Sequence, residues 1–296
     1  MLAKSFKKTH AINSWINLIL STFIVVGVFA SVARNLVAQP TEIVEEVGLK
    51  TFRMFTVLSN MLVGITASMS IPFAVDGIRQ KNYHLPRWIV DLTLISVSSI
   101  TLTFVISVFL LAPRAGFIPI LLSGSNLFMH TLIPISAIVL FLFINPYHTV
   151  KLKTALLALL PVIAYAVTYF ISAIAVGEEN GGWRDHYHFQ ELMPWYYTAA
   201  IILALTFIIS ISLMAIHNRN HRRDKTATEK YYQTADEYAL PTIEDAIEKL
   251  AKENKRYDAG GEIIVPRRII KFLEKKYQSG KSLSYLCNVY LNEYMK

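Results

Sequence analysis

The chain has little cysteine and few charged residues. Its single cysteine, Cys287, excludes an intramolecular disulfide and a zinc site built from several thiolates. Charged residues make up 17% of the 296 residues and hydrophobic residues 53%, a balance too apolar for an ordinary soluble globule. The formal charge of +8 lies in short clusters beside apolar runs, not along one face as a nucleic-acid surface requires. We therefore predict a membrane protein without a nucleic-acid partner.

The common catalytic and nucleotide-binding motifs are also missing. The sequence contains no internal repeat, no P-loop, no glycine-rich dinucleotide motif and no Gly-x-Ser-x-Gly nucleophile elbow. We accordingly predict no cofactor, and any catalytic group has to be sought among polar residues inside the apolar runs.

Six apolar runs are long enough to cross a hydrocarbon core, which needs about 20 residues of helix. The predicted spans are Ile12–Ala33, Met54–Val75, Trp88–Ala112, Ser125–Ile144, Thr154–Val176 and Trp195–Ile216. The first run could be taken for a signal peptide, but its length favours an uncleaved helix. The sequence thus predicts an all-α membrane domain over residues 1–216 and a soluble cytoplasmic tail over residues 217–296.

Basic residues predict the orientation of these spans. With six spans, the N-terminal arm, two connections and the start of the tail lie on one side of the membrane. These segments carry Lys4, Lys7, Lys8, Arg79, Lys81, Arg87, Lys151, Lys153, Arg219, Arg222, Arg223 and Lys225. Such an excess of basic residues is typical of the cytoplasmic side, so both termini are predicted to be cytoplasmic. We expect a multi-pass protein of the cell membrane.

The tail contains three short amphipathic patterns. Apolar residues recur at helical spacing from Ile243, from Ile269 and from Leu283. These patterns predict small helices that pack together or bind a cytoplasmic partner, although a merely solvated extension fits the composition equally well.

The fourth span carries an ionisable residue, His130. Such a side chain is costly in lipid and usually faces a cavity or a partner. Asn126 and Pro134 lie one turn before and after it on the same helix face. Pro134 lacks an amide hydrogen and crowds the carbonyl of residue 130, so we expect the helix to bend there. His130 is therefore the first candidate for a functional residue.

The second span offers a polar stripe at a similar depth. Thr56, Asn60 and Gly64 recur every four residues. Thr56 and His130 both lie close to the non-cytoplasmic ends of their spans, within about one helical turn of each other in depth. A hydroxyl and an imidazole at one depth suit a nucleophile and its base, although a threonine in a membrane helix more often bonds its own backbone. Asn60 or Asn126 are candidate donors to an oxyanion, and Asp185 is the nearest carboxylate that could orient His130.

At these residues the chain resembles the androgen-induced-gene family of six-span membrane hydrolases and its bacterial relatives. This family includes the androgen-dependent regulator of tissue factor pathway inhibitor. The similar pieces are the stretch Phe55–Asn60, the stretch His130–Pro134, Tyr165 with Tyr169, and the loop Trp183–Phe189. The resemblance covers roughly residues 12–216 and excludes the tail.

The resemblance implies an intramembrane threonine hydrolase with Thr56 as nucleophile and His130 as base. It also implies a lipid ester as substrate, such as a fatty acid ester of a hydroxy fatty acid. The long tail and the polar fifth loop, which connects the fifth and sixth spans, depart from the animal proteins, so the substrate is inferred less firmly than the fold.

Two alternatives remain open at this point. His130, His186 and His188 lie on one side of the predicted membrane, with Asp185 beside them, and together could hold a metal that activates water. A transporter or a membrane sensor is the non-enzymatic alternative, although the polar pair lies near one surface and not at the midplane.

Overall fold

The computed structural model describes residues 2–38, 46–80, 85–145, 148–185, 187, 194–239, 243–253, 267–277, 283, 286, 287, 289 and 290. These residues are almost entirely helical, and the described part of the chain contains no β-strand. The chain divides into two compact units, Ala11–His221 and a second unit made of Met1–His10 and Arg222–Lys296.

Six helices of the structure are long and apolar enough to cross a membrane. Their bounds are Ile12–Val37, Phe55–Arg79, Arg87–Ala115, Gly124–Ile144, Leu152–Val176 and Trp195–Arg223, called spans 1 to 6 below. Each begins within one helical turn of its predicted first residue, which confirms the six predicted apolar helices. Their composition explains this agreement, because continuous apolar runs with few breaks satisfy their backbone groups internally only as helices.

Several spans are not uniform α-helices. Spans 1 and 2 are uniform and belong to the α-helices Leu2–Val37 and Phe55–Gln80. Span 3 continues from the α-helix Arg87–Ile106 into a π-helical turn, Ser107–Leu111. Span 4 has two such turns, Leu127–Leu132 and Leu140–Ile144, separated by the α-helix Ile133–Val139.

Span 5 consists of the α-helices Leu152–Leu157 and Leu160–Tyr169 and the π-helical turn Phe170–Val176. The last span is part of the α-helix Trp195–Ala239. Two short elements precede spans 2 and 4: the 3-10 helix Gly48–Arg53 and the π-helical turn Ile118–Leu122.

The core of the membrane unit lies between spans 1, 2, 3 and 4. Buried apolar residues from these helices include Ile24, Val28, Val63, Val97, Ile100, Ile133 and Phe141. Gly64 permits close contact between spans 1 and 2, since a Cβ there would lie 3.2 Å from Val28. A Cβ at Gly27 would lie 3.3 Å from Ile133, so spans 1 and 4 are equally close. Glycines at these positions allow spans 1, 2 and 4 to pack closely.

The ends of the spans opposite Thr56 are joined by polar side chains of span 6. His217 is fully buried, and its ring nitrogens lie 2.9 Å from the carbonyl oxygens of Phe141 and His148. Asn218 exchanges two hydrogen bonds with the backbone of Val150, and Asn220 donates to the carbonyl of Leu142 at 2.8 Å. These bonds satisfy carbonyl groups at the irregular end of span 4.

The tail has its own small core. The helices Ile243–Glu253 and Arg267–Tyr277 are present where the sequence predicts amphipathic helices. Their buried residues pack with others farther along the chain: Ala246, Leu250, Ile269, Leu273, Leu283, Leu286, Cys287 and Tyr290. Cys287 is a buried free thiol.

Candidate functional site

Thr56 lies in the first turn of span 2. The 3-10 helix Gly48–Arg53 is followed by Met54, whose extended backbone turns the chain into the helix that begins at Phe55. Amide groups in a first helical turn have no partner within the helix. Here the amide of Phe55 donates to the hydroxyl of Tyr187 at 3.1 Å. A residue of the fifth loop therefore stabilises the turn that presents Thr56.

His130 lies in the π-helical turn of span 4 that precedes Pro134. The turn Leu127–Leu132 includes the position at which the sequence predicts a bend. The side chain is only 7% exposed. Its Nδ1 is 2.8 Å from the carbonyl oxygen of Ile120, and its Nε2 is 3.4 Å from Oγ1 of Thr56. The structure therefore brings the two predicted residues together.

The Ile120 contact determines which ring nitrogen of His130 carries the proton. A carbonyl oxygen only accepts hydrogen bonds, so Nδ1 must donate. In the neutral imidazole, Nε2 is then unprotonated and is the nitrogen that faces Thr56. In the described part of the chain, His130 is the hydrogen-bond partner of the Thr56 hydroxyl. The hydroxyl thus faces a base and is not tied to its own helix backbone.

The segment before span 4 holds this span by three side-chain bonds. Three consecutive carbonyl groups of the turn Ile118–Leu122 accept from Asn126, His130 and Thr131. Asn126 donates to Pro119 at 3.1 Å, and Thr131 donates to Leu121 at 2.8 Å. Because the three acceptors are adjacent, the imidazole has little freedom to rotate away from Thr56. Asn126 takes part in this support and makes no described contact with Thr56.

Asn60 connects the two halves of the site. Its amide nitrogen donates to the carbonyl oxygens of Thr56 at 2.8 Å and of Met129 at 3.0 Å. Both amide hydrogens are thereby used, which leaves none for an oxyanion. Its Oδ1 is buried and has no hydrogen-bond partner among the described residues. Asn60 therefore fixes span 2 against the His130 turn and offers a buried acceptor.

Tyrosines of span 5 and the fifth loop lie around the first residues of span 2. Tyr165 donates to the carbonyl of Arg53 at 2.7 Å, and Tyr169 donates to Asp185 at 2.7 Å. The Tyr169 ring lies 5.8 Å from that of Tyr165 and 5.4 Å from that of Tyr187, centroid to centroid. Burial raises the pKa of the Tyr187 phenol, so this group stays protonated at neutral pH.

Asp185 is not a hydrogen-bond partner of His130 among the described contacts. Both imidazole nitrogens have other partners, and the Asp185 carboxylate accepts from Tyr169. A backbone carbonyl thus orients the base where the sequence suggested a carboxylate. Within the described residues, no cluster of three histidine, cysteine or acidic side chains suited to a metal ion occurs. His186 and His188, the other predicted ligands of the metal alternative, lie outside the described residues.

The sequence does not indicate a role for the Tyr187 hydroxyl. Its position in the sequence, among the aromatic residues of the fifth loop, gives no sign that its hydroxyl reaches the start of span 2.

Comparison with known proteins does not add to the geometry, because no family model, curated protein or solved structure matches the chain.

Proposed function

We propose that the protein is an intramembrane lipid ester hydrolase in which Thr56 is the nucleophile and His130 its base. One observation carries the proposal: the unprotonated nitrogen of His130 faces the Thr56 hydroxyl, while its other nitrogen donates to Ile120. A hydroxyl needs such a base to become a nucleophile. The 3.4 Å separation is long, but hydrogen bonds of catalytic groups commonly shorten when substrate binds.

The proposed reaction has two steps. His130 accepts the Thr56 proton while the threonine oxygen attacks the acyl carbonyl, and the ester C–O bond breaks as the alcohol leaves with that proton. Water then gives a proton to His130 and attacks the acyl-threonine, which releases the fatty acid and restores the hydroxyl. The buried Oδ1 of Asn60 suits the second hydrogen of that water.

Tyr187 is the donor that we assign to the oxyanion. Its hydroxyl lies at the amide of Phe55, next to the nucleophile in sequence, and its raised pKa keeps the donated proton in place. Tyrosine hydroxyls serve this purpose where an apolar surrounding strengthens the hydrogen bond. This assignment replaces Asn60, whose donors are occupied by carbonyl groups.

Membership of the androgen-induced-gene family remains part of the proposal. It is supported by the residues named for the resemblance and by the contact between the hydroxyl and imidazole that the family's chemistry requires. The substrate we propose is an amphipathic lipid ester, with a fatty acid ester of a hydroxy fatty acid as the model compound.

The proposal includes an orientation in the cell membrane. We propose that both termini are cytoplasmic and that the site lies in the outer leaflet; the even number of apolar helices and the basic residues support this orientation. The tail then faces the cytoplasm, where its folded helices offer a surface for a partner. Cysteine labelling should find position 45 outside and position 151 inside. Labelling of both from one side would contradict the orientation.

The decisive experiment compares Thr56→Val with Thr56→Ser in purified protein. Valine keeps the shape and removes the oxygen, so hydrolysis of 4-nitrophenyl decanoate should fall by about 10⁴-fold or more. Serine keeps the oxygen and should retain measurable turnover. A fluorophosphonate probe should label wild type at Thr56 and not label the valine variant. Native turnover in Thr56→Val would refute the mechanism, and loss of wild-type activity on chelation would favour the metal alternative.

A further inference from the structure

A cleft lies beside the site, between spans 2, 3 and 5. Its volume is about 370 Å³. Leu58 and Leu62 form one wall, and Pro161 and Ala164 form another. The lining includes Phe55 but not Thr56, so the cleft is separate from the proposed catalytic pair.

The dimensions of the cleft suit one chain of an amphiphile. Phe55 and Leu62 are seven residues apart on one helix, which corresponds to about 10 Å along its axis. Pro161 and Thr168 cover a similar length on span 5. The volume equals that of about a dozen water molecules. These walls belong to membrane-spanning helices, so an elongated apolar occupant is expected.

A cation lies next to the lining of the cleft. The guanidinium carbon of Arg53 lies 5.7 Å from the ring centroid of Trp183, and Trp183 itself lines the cleft. No described carboxylate forms an ion pair with Arg53, and its neighbour in sequence, Phe52, also lines the cleft. A guanidinium presents paired donors that match a carboxylate. The cleft therefore combines an apolar interior with a positive charge next to its lining.

We propose that this cleft binds a long-chain fatty acid, with the acyl chain between spans 2 and 5 and the carboxylate at Arg53. The positive charge selects an acid over a neutral lipid, and the narrow volume selects one chain over two. This binding site goes beyond the proposed hydrolysis and does not depend on it, since Thr56 contributes nothing to the lining.

Photo-crosslinking in phosphatidylcholine nanodiscs tests the site in the full chain. A palmitic acid probe with a diazirine in its chain should form adducts mainly on the peptides that contain Leu58, Leu62 and Ala164. The methyl ester of the same probe should give about tenfold fewer adducts, because it lacks the charge. Arg53→Gln should lower labelling by the acid to the level of the ester, and Arg53→Lys should retain part of it.

A matched pair on span 5 controls for general effects on the membrane unit. Ala164→Trp should fill the cleft and suppress labelling, whereas Val167→Trp, at an exposed position outside the lining, should leave it unchanged. If Ala164→Trp does not fold, the comparison of acid and ester in wild type decides. Adducts spread evenly over all six spans, equal labelling by acid and ester, or stronger competition by lysophosphatidic acid than by palmitate would each overturn the proposal. Thr56→Val should label like wild type, which separates this site from the hydrolase mechanism.

Discussion

Two buried histidines in this chain differ in what their second ring nitrogen meets. His130 and His217 both contact a backbone carbonyl through Nδ1, at 2.8 Å and 2.9 Å. Nε2 of His130 then faces a hydroxyl, whereas Nε2 of His217 faces a second carbonyl. Because a carbonyl only accepts, the second nitrogen of His217 can bond only by donating, and it has no hydroxyl to activate. Burial alone therefore does not distinguish a candidate base from a structural histidine, whereas the partner of the second nitrogen does.

The surroundings of the two rings agree with this difference. The His217 ring stacks on Phe141 with centroids 4.3 Å apart, and neighbouring asparagines also bond to backbone groups. At this end of the spans, polar side chains therefore form hydrogen bonds with main-chain groups. At the opposite end, the half-buried Thr56 hydroxyl has the imidazole as its hydrogen-bond partner within the described residues.

Replacing each histidine by alanine should give the largest effects and should separate them. His130→Ala should lower ester hydrolysis by at least about 10²-fold, the usual contribution of a general base. His217→Ala should leave turnover per folded molecule nearly unchanged and lower the free energy of unfolding by about 3 kcal/mol, since a buried carbonyl group loses its donor and the ring no longer stacks on Phe141. Turnover and thermal unfolding in detergent measure the two effects. Loss of turnover in a stable His217→Ala protein would break the comparison.

Removing the Tyr187 hydroxyl should have the next largest effect. Tyr187→Phe should lower kcat by about 10²-fold, because an oxyanion donor is lost, with a smaller change in KM. Tyr196→Phe is the control, since this tyrosine is exposed near the start of span 6. Steady-state kinetics on 4-nitrophenyl decanoate provide the measurement. Unchanged kcat in Tyr187→Phe would show that this residue only stabilises the first turn of span 2.

Substituting Asn220 should give the smallest effect. Asn220→Ala removes one hydrogen bond to Leu142, so the free energy of unfolding should fall by about 1 kcal/mol, with turnover unchanged. Arg223→Ala, at an exposed position on the same helix, should change neither quantity. Chemical or thermal unfolding of the two variants measures the difference. A fall in turnover for Asn220→Ala would show that the two ends of the spans are coupled.

The sequence predicts the spans and the neighbourhood of Thr56 and His130 for physical reasons. Apolar runs of sufficient length form helices in lipid, and a constant rise per residue converts position in a span into depth. Two polar residues of equal depth then become candidates for contact, and the structure places them 3.4 Å apart.

The remaining parts of the site depend on contacts that periodicity does not encode. The position of Tyr187 depends on how the fifth loop packs against the start of span 2. Asn60 donates both amide hydrogens to carbonyl groups, and the bond to Met129 depends on the distance between spans 2 and 4. Side-chain packing sets that distance. The sequence suggested Asp185 as a charged partner of His130, because residue types indicate side-chain acceptors and do not indicate main-chain acceptors.

Because a main-chain carbonyl orients His130, we expect a particular pattern of variation in sequences related to this one. Substituting Ile120 changes a side chain but leaves the carbonyl that accepts from His130. An insertion or deletion between Gly116 and Ser123, by contrast, would move a different carbonyl into that place or remove it. Relatives that share the mechanism should therefore differ freely among apolar residues at position 120 while the number of residues in this segment stays constant.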